Sequence, residues 1–213
     1  MESSPAYYFE LRRFRFRQIF QEKVWETVKG IGKALEAMDD TVFPDLPENV
    51  SIKGKVHIGE GTEIGEFVVI NGPAYIGESC EIRPGAFIRG NVIVGDNCVI
   101  GHATELKNSI MLNSSKAPHF NYVGDSIIGN NVNLGAGVKL ANVRNDRKEV
   151  MPGIEKLGAV IGDGSQLGCN TVTNPGTLIG RNVMVYPNAT LRGFIRSNSI
   201  VKVRQDAEVT DRS

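Results

Sequence analysis

The sequence predicts an all-β solenoid of hexapeptide repeats with an α-helical appendage at its N-terminus. An aliphatic residue recurs at every sixth position from Ile52 to Leu112. Glycine, at 24 of 213 residues, often follows the aliphatic residue, and a small or β-branched residue often lies four positions after it. A period of six fits neither the 3.6-residue period of a helix nor simple strand alternation. It is typical of short strands joined by tight turns, in which glycine would supply positive φ angles.

Residues 1–45 have a different pattern and are predicted to form a helical extension followed by a linker. Their apolar residues step by three or four positions, as in an amphipathic helix: Phe16, Phe20, Val24, Val28, Ile31 and Leu35. Ser4 and Pro5 have the residue types of a helix N-cap and first helical position. Two prolines after Asp39 indicate the linker.

Four arginines in this extension alternate with phenylalanines: Arg12, Arg13, Arg15 and Arg17. They would bind RNA or a membrane surface, or they would line the solvent face of a helix that caps the open end of the solenoid. Nearby glutamates dilute the positive charge and favour the capping role.

The repeat is predicted to span residues 46–204, and residues 205–213 form a polar tail. The period is interrupted twice, at residues 113–121 and at residues 143–159. A solenoid tolerates insertions as loops that leave its wall. Two loops and a cleft between them are therefore expected, with His119 in the shorter loop. Cys80 and Cys98 fall on small inward positions and are predicted to fill the core.

Composition excludes several functional classes. The 24 basic and 24 acidic residues cancel, which argues against a nucleic-acid binder. No apolar run is long enough to cross a membrane. The first residues lack the features of a signal peptide, so a cytoplasmic protein is expected. Three cysteines without a CxxC spacing predict neither a disulfide framework nor a zinc knuckle.

A set of motifs in the repeat resembles one family of sugar-phosphate acetyltransferases. The motifs are Arg83-Pro84-Gly85, Glu105-Leu106-Lys107, the run from Lys116 to Asp125, the run from Asn131 to Gly137, and Asn142. They resemble the acetyltransferase half of bifunctional UDP-N-acetylglucosamine pyrophosphorylase/glucosamine-1-phosphate N-acetyltransferases. Residues 142–146 and 156–162 are more similar to the archaeal sugar-1-phosphate nucleotidylyltransferase/acetyltransferases. The resemblance covers about residues 50–204, and residues 1–45 resemble no family.

The resemblance implies a left-handed parallel β-helix that forms a homotrimer with active sites between subunits. It also implies acetyl-CoA as co-substrate and an amino-sugar-1-phosphate as acceptor. The nucleotidyltransferase domain of the bifunctional enzymes would need a phosphate-binding turn after an N-terminal strand. The residues that precede the repeat at Ile52 are too few to contain such a domain. A lone acetyltransferase is therefore expected, and glucosamine-1-phosphate and galactosamine-1-phosphate both stay open as its substrate.

By resemblance, the site residues have the following roles. His119 is the general base, Glu105 orients its ring, and Asn142 contacts the reaction centre. The substrate-binding residues are Arg83, Lys107, Tyr122, Asn133 and Lys148. The coenzyme-binding residues are Ala136, whose N–H faces the thioester oxyanion, Cys169 and Arg204. Histidine suits the base because its unperturbed pKa is about 6.5.

A metal site and a non-catalytic function are the alternatives to an acetyltransferase. The long gaps between its three histidines lack the close pair of a γ-carbonic-anhydrase metal site, so no metal is expected. Met151 replaces a lysine of the archaeal relatives, and Pro187 replaces a small coenzyme-contacting residue. The alternative function is thus a sugar-phosphate-binding or scaffold trimer that partners a separate nucleotidyltransferase. Cys169 would serve as a weak S–H donor or as a buried structural thiol.

Overall fold

The computed structural model describes residues 2–39, 41–42, 46–204 and 208–211. From Ser51 to Val201 the chain winds into a three-sided solenoid, each side of which is a parallel β-sheet. Sheet A has nine strands, and sheets B and C have eight each. In every coil of the solenoid the chain passes from sheet A to sheet C and then to sheet B. The all-β solenoid predicted from the six-residue period is confirmed.

The strands are short and follow one another closely along the chain. The first twelve are β1 (Thr41–Val42), β2 (Ser51–Lys53), β3 (Val56–Ile58), β4 (Glu63–Ile64), β5 (Val69–Asn71), β6 (Ala74–Ile76), β7 (Glu81–Ile82), β8 (Phe87–Ile88), β9 (Val92–Val94), β10 (Val99–His102), β11 (Glu105–Lys107) and β12 (Ser109–Met111). They continue as β13 (Lys116–His119), β14 (Tyr122–Gly124), β15 (Ile127–Ile128), β16 (Asn133–Leu134), β17 (Lys139–Leu140), β18 (Ala159–Ile161), β19 (Gln166–Leu167), β20 (Val172–Thr173), β21 (Thr177–Ile179), β22 (Met184–Val185), β23 (Thr190–Leu191), β24 (Phe194–Ile195) and β25 (Ile200–Val201). Sheet A runs β1-β3-β6-β9-β12-β15-β18-β21-β24, sheet B runs β2-β5-β8-β11-β14-β17-β20-β23, and sheet C runs β4-β7-β10-β13-β16-β19-β22-β25.

The core of the solenoid consists of aliphatic side chains stacked from coil to coil. Ile70 is the register partner of Ile52 in one neighbouring coil and of Ile88 in the other. Ile70 and Ile88 are fully buried, and burying a side chain of this size contributes about 2 kcal/mol. Cys80 and Cys98 belong to the same buried core, as predicted.

The first interruption of the repeat is a coil that is one residue shorter than its neighbour. The prediction of a short loop at residues 113–121 is wrong. Lys116–His119 forms β13 within sheet C. The register pairs His119 with His102 and Val99 with Glu81, and the first of these pairs is one residue closer in sequence than the second. The missing residue moves Met111 into the core and leaves Leu112 on the outer face of sheet A. The cleft expected between two loops is therefore not formed.

The second interruption does leave the wall. Residues 141–158 connect β17 of sheet B to β18 of sheet A and contain the charged segment predicted to be a loop. Met151 and Ile154 form an isolated antiparallel bridge in this loop. Ile154 and Leu157 are buried in a cluster with side chains of the N-terminal segment.

The glycines that follow the aliphatic residues serve close packing between coils. Gly135 has no positive φ, yet a Cβ there would lie 2.6 Å from the backbone nitrogen of Cys169 in the next coil. Many of the positive-φ turn positions are instead occupied by asparagine, such as Asn97 and Asn170, which tolerates that region better than most residues. The glycines that follow aliphatic residues therefore do not supply positive φ angles, whereas other glycines, such as Gly61, Gly85 and Gly164, do so at turns as expected.

The N-terminal segment, residues 2–39, packs along the outer face of sheet A. Successive strands of that sheet carry an outward apolar side chain in its buried cluster: Tyr75, Ile93, Ile110, Ile127, Val160 and Leu178. The Phe16 ring lies 4.8 Å from the Tyr75 ring. The prediction that the segment caps the open end of the solenoid is wrong. The segment instead covers the apolar stripe along sheet A, which would otherwise be exposed to solvent.

The single long helix expected in this segment is divided. Its helices are α1 (Pro5–Tyr8), two 3₁₀ helices (Arg17–Ile19 and Val24–Gly30) and α2 (Ile31–Glu36). The Ser4 side chain caps α1 by accepting a hydrogen bond from Ala6, as predicted. The four arginines between Leu11 and Gln18 are exposed and the interleaved phenylalanines are buried. No helix in the described residues has the length and apolarity to cross a membrane.

Candidate active site

The outer face of sheet B carries three of the predicted site residues. Glu105 and Lys107 flank the buried Leu106 on β11, so both side chains lie on the outer face. Tyr122 on β14 is the register partner of Glu105, and Gly124 is the register partner of Lys107. The parallel register therefore brings Glu105, Lys107 and Tyr122 together.

A buried carboxylate links this face to the corner where sheet B ends. Asp125 is 4% exposed. Its Oδ1 accepts a hydrogen bond from Asn108 Nδ2 at 2.7 Å, and its Oδ2 lies 3.2 Å from Lys107 Nζ. Asn142 Nδ2 also donates to Oδ2, and the Tyr122 hydroxyl lies 3.5 Å from Asn142 Oδ1. These five residues are called the Asp125 cluster.

Gly124 makes room for the cluster. A Cβ on Gly124 would lie 2.6 Å from the Tyr122 hydroxyl oxygen and 2.9 Å from Asn142 Nδ2. The absence of a side chain thus allows the tyrosine hydroxyl and the asparagine amide to meet over the strand.

The structure does not join Glu105 to His119 within one chain. The Glu105 carboxylate accepts a hydrogen bond from Arg89 at 2.6 Å, and this contact raises the pKa of Arg89. His119 is exposed at the end of β13, and its backbone N–H donates to Asn121 Oδ1 at 3.1 Å. Within the described part of the chain, the His119 ring makes no hydrogen bond.

His119 and two of the predicted coenzyme residues, Ala136 and Cys169, lie on one edge of the solenoid, where sheet C turns into sheet B. Gly137 N–H donates to His119 O at 3.0 Å, and Asn170 N–H donates to Ala136 O at 2.8 Å. These bonds stack His119, Ala136 and Cys169 in successive coils, which places them about 4.8 Å apart per coil. We call this line of residues the C–B edge. Cys169 is exposed, so the alternative of a buried structural thiol is wrong.

The backbone of Ala136 has the donor that an oxyanion would need. Its neighbour Gly137 donates to His119 O. Among the described residues, the Ala136 N–H donates to no acceptor. The residue is half-buried on the C–B edge.

Arg83 and Asn133 lie apart from the Asp125 cluster. Arg83, two coils before His119, donates to both carboxylate oxygens of Glu81 at 2.8 and 3.1 Å. This contact lowers the pKa of Glu81 and raises the pKa of Arg83. Asn133 lies on sheet C, where it pairs with Lys116. One chain therefore does not bring these two residues to Tyr122 and Asn142.

Lys148 and Arg204 are both exposed. Lys148 is in the loop of residues 141–158, where its N–H donates to Asp146 Oδ1 at 3.2 Å. The same carboxylate binds Arg144, which lowers the pKa of Asp146 to about 2. Beside this pair is a cleft of about 460 Å³ that extends to Arg192. Arg204 follows β25 at the far end of the solenoid.

The two substituted positions lie on different sides of the solenoid. Met151 is half-buried against the N-terminal cluster. Asn188 N–H donates to Cys169 O at 2.8 Å, so Pro187 occupies the C–B edge in the coil after Cys169. Tyr186 beside it is 43% exposed, and the Lys202 ammonium lies 5.7 Å from its ring centre.

The histidines do not converge. His57 stacks on Tyr75 in sheet A with ring centres 4.7 Å apart, whereas His102 and His119 are neighbours in sheet C. No group of three or more metal-binding side chains occurs in residues 2–39, 41–42, 46–204 and 208–211.

Arg89, Asn108 and Asp125 are partners at the site that the sequence motifs did not predict. Asp125 lies within a motif, but no role was expected for it. The coil period contained the signal, since Asp125 follows Lys107 and precedes Asn142 by about one coil in each case. Residues separated by one coil length stack directly.

The chain matches a known protein family over most of the solenoid. Residues 70–196, more than half of the chain, match the family described as "GMPPB C-terminal domain". The chain belongs to this family. It is also 47% identical over 194 residues to "Bifunctional protein GlmU" of Methanococcus maripaludis, with 87% of this chain and 47% of that protein covered. The covered 87% of this chain contains more residues than the range 46–213 does. The similarity therefore extends into part of the N-terminal segment, which was expected to resemble no family.

The name of a second archaeal relative states two activities, nucleotidyl transfer and acetyl transfer. The chain is 39% identical over 180 residues to "Bifunctional sugar-1-phosphate nucleotidylyltransferase/acetyltransferase" of Sulfurisphaera tokodaii, with 78% of this chain and 45% of that protein covered. The chain thus spans about half the length of the relatives it matches. The resemblance to the archaeal enzymes is confirmed.

A solved structure has the same fold. It is the UDP-N-acetylglucosamine acyltransferase of Francisella novicida, with a TM-score of 0.55, 21% identity, and 68% of this chain and 60% of that chain covered. The predicted left-handed parallel β-helix is confirmed.

Proposed function

We propose that this chain transfers an acetyl group from acetyl-CoA to the amine of glucosamine-1-phosphate or galactosamine-1-phosphate. The observation that carries the proposal is the Asp125 cluster, in which Lys107, Tyr122 and Asn142 meet at the corner where sheet B ends. His119 lies on the C–B edge, at the other end of the sheet B strands. The names of the archaeal relatives support the substrate class.

The chemistry assigns a role to each group. The amino sugar arrives as an ammonium ion, and His119 removes a proton so that the nitrogen lone pair can attack the thioester carbonyl. The C–N bond forms, and the carbonyl oxygen becomes an oxyanion that the Ala136 N–H stabilises. The nitrogen loses its second proton to solvent as the C–S bond breaks, and CoA leaves as a thiol with the proton held by His119, so that one proton is released overall.

Cations around the outer face of sheet B suit a phosphate ester. Lys107 is 27% exposed, Arg89 adjoins Glu105, and Lys139 is the register partner of Tyr122. We assign Lys107 to the phosphate, with Arg83 and Lys148 as further ligands. Cys169 and Arg204 are assigned to acetyl-CoA.

We also propose a homotrimer, in which a neighbouring subunit supplies part of each site. Asn133 lies on sheet C, away from Tyr122 on sheet B and from Asn142 at the start of the long loop. A second copy would bring such residues together, and it would also offer a partner to the His119 ring.

The test is release of free thiol from acetyl-CoA with each sugar phosphate. His119→Ala should abolish turnover, and His102→Ala, the register neighbour one coil earlier, should keep it. Full turnover by His119→Ala would rule out the base, and a clear preference for one sugar would identify the epimer.

A non-catalytic binding or scaffold trimer that partners a separate nucleotidyltransferase is the second candidate. Tyr186 and Pro187 favour it, because this bulky pair lies on the C–B edge directly after Cys169. Calorimetry decides between the two: submillimolar binding of acetyl-CoA supports the enzyme, and sugar-phosphate binding without acetyl-CoA binding supports the scaffold.

A further inference from the structure

Asp125 is a buried carboxylate that accepts hydrogen bonds from three side chains. Its donors come from β11 (Lys107), from the corner after β11 (Asn108) and from the start of the long loop (Asn142). Its backbone is also held, since its N–H donates to Lys107 O and its carbonyl accepts from Gly158 N–H, both at 2.9 Å. At 4% exposure the carboxylate has little contact with water, so these donors replace the hydrogen bonds that water would supply.

The carboxylate determines which way the Asn142 amide faces. An ionised carboxylate only accepts hydrogen bonds, so Asn142 must present its NH₂ group to Asp125. Its carbonyl oxygen Oδ1 is then directed to the Tyr122 hydroxyl. That oxygen has a second lone pair, which can accept a hydrogen bond from the amine of a substrate.

The same carboxylate holds the Lys107 ammonium. One of the three ammonium donors is used on Asp125 Oδ2, and two remain for a ligand. A lysine held in one place offers its charge to a phosphate without first giving up its rotamer freedom.

We infer that Asp125 is a positioning residue for acetyl transfer, which orients the Asn142 amide toward the amine and holds Lys107 for the phosphate. This inference rests on the proposed function. Asp125 does not touch the reacting atoms, and it acts through the other two residues.

The test compares Asp125→Asn with the matched control Asp163→Asn. Asp163 is also a partly buried carboxylate with three donors: Glu10 N–H and Asn130 N–H at 2.7 Å, and Asn130 Nδ2 at 3.0 Å. It lies at the corner between sheets A and C. Asp125→Asn should lower kcat about 100-fold, because misplacement of a reacting group by about 1 Å has that effect. It should also raise KM for the sugar phosphate, while Asp163→Asn changes neither.

A double variant separates positioning from a structural role. If Asp125 acts on kcat through Asn142, Asp125→Asn adds no further loss of kcat in an Asn142→Ala background. Additive losses, or equal effects of the Asp125 and Asp163 variants, would overturn the inference. If Asp125→Asn does not fold, Asp125→Glu keeps the charge and displaces it, and it is compared with Asp163→Glu in the same assays.

A binding measurement distinguishes this inference from the proposed function. If the unmodified protein transfers no acetyl group, the proposed function fails, and calorimetry with glucosamine-1-phosphate then tests Asp125. Weaker binding by Asp125→Asn but not by Asp163→Asn supports the positioning of Lys107. Unchanged binding, or no binding by the unmodified protein, overturns the inference.

Discussion

Replacing Gly124 with alanine should reduce acetyl transfer without unfolding the protein. The new Cβ would lie 2.6 Å from the Tyr122 hydroxyl oxygen and 2.9 Å from Asn142 Nδ2, where ordinary contacts begin at 3.4 Å. Gly124 has no positive φ, so alanine fits its backbone conformation. The disturbance therefore falls on two side-chain ends in the Asp125 cluster.

The size of the effect follows from these distances. The Tyr122 hydroxyl must move by about 0.8 Å, the difference between 3.4 and 2.6 Å, and misplacement by about 1 Å can cost 100-fold in rate. We expect kcat/KM to fall by about 10- to 100-fold. Both atoms belong to side chains, and alanine restricts the unfolded chain by about 0.4–1 kcal/mol relative to glycine. The free energy of unfolding should thus change by less than about 1 kcal/mol.

The assay is thiol release from acetyl-CoA, measured beside urea denaturation of the same preparation. Gly30→Ala is the control, since a Cβ there meets nothing within 4 Å, and it should leave both measurements unchanged or improve stability slightly. Unchanged kcat/KM in a folded Gly124→Ala variant would refute the role assigned to the Tyr122–Asn142 contact.

Other predictions concern stability. Gly135→Ala should destabilise the fold by about 1–3 kcal/mol in urea denaturation, because its Cβ would meet backbone rather than side-chain ends; a neutral result would contradict the close coil packing. Phe16→Ala, at 6% exposure, should cost about 3–5 kcal/mol, while the control Phe67→Ala, at 64% exposure, should cost little. Equal effects of the two would argue against docking of the N-terminal segment on sheet A. Burial raises the pKa of Tyr8, so its contribution to stability is complete below the unfolded pKa of about 10 and is lost at higher pH. The free energy of unfolding, measured by denaturation at pH 8 and at pH 10.5, should fall less between these two pH values for Tyr8→Phe than for the unmodified protein.

The candidate site was predictable in its residues but not in its contacts. The motifs identify Lys107, Tyr122 and Asn142, and the register of β11 and β14 brings the first two together. The Arg89 partner of Glu105 was not predictable, because the resemblance assigned that carboxylate to His119. Ion pairs on a sheet surface depend on rotamers and on neighbours one coil away, and a linear motif contains neither.

The solenoid could be predicted from the amino-acid pattern alone, because its unit is local. A strand of two or three residues with one inward aliphatic side chain repeats every six residues, and this repetition forces the coils to stack whatever lies outside. Two features could be seen only in the folded chain: the packing of the N-terminal segment on sheet A and the shortened coil at the first interruption. The outward stripe from Tyr75 to Leu178 arises from residues one coil apart, and so does the burial of Asp125. The six-residue period indicates which residues lie about one coil apart. Which of their side chains meet depends on the exact length of each coil, and that length is visible only in the folded chain.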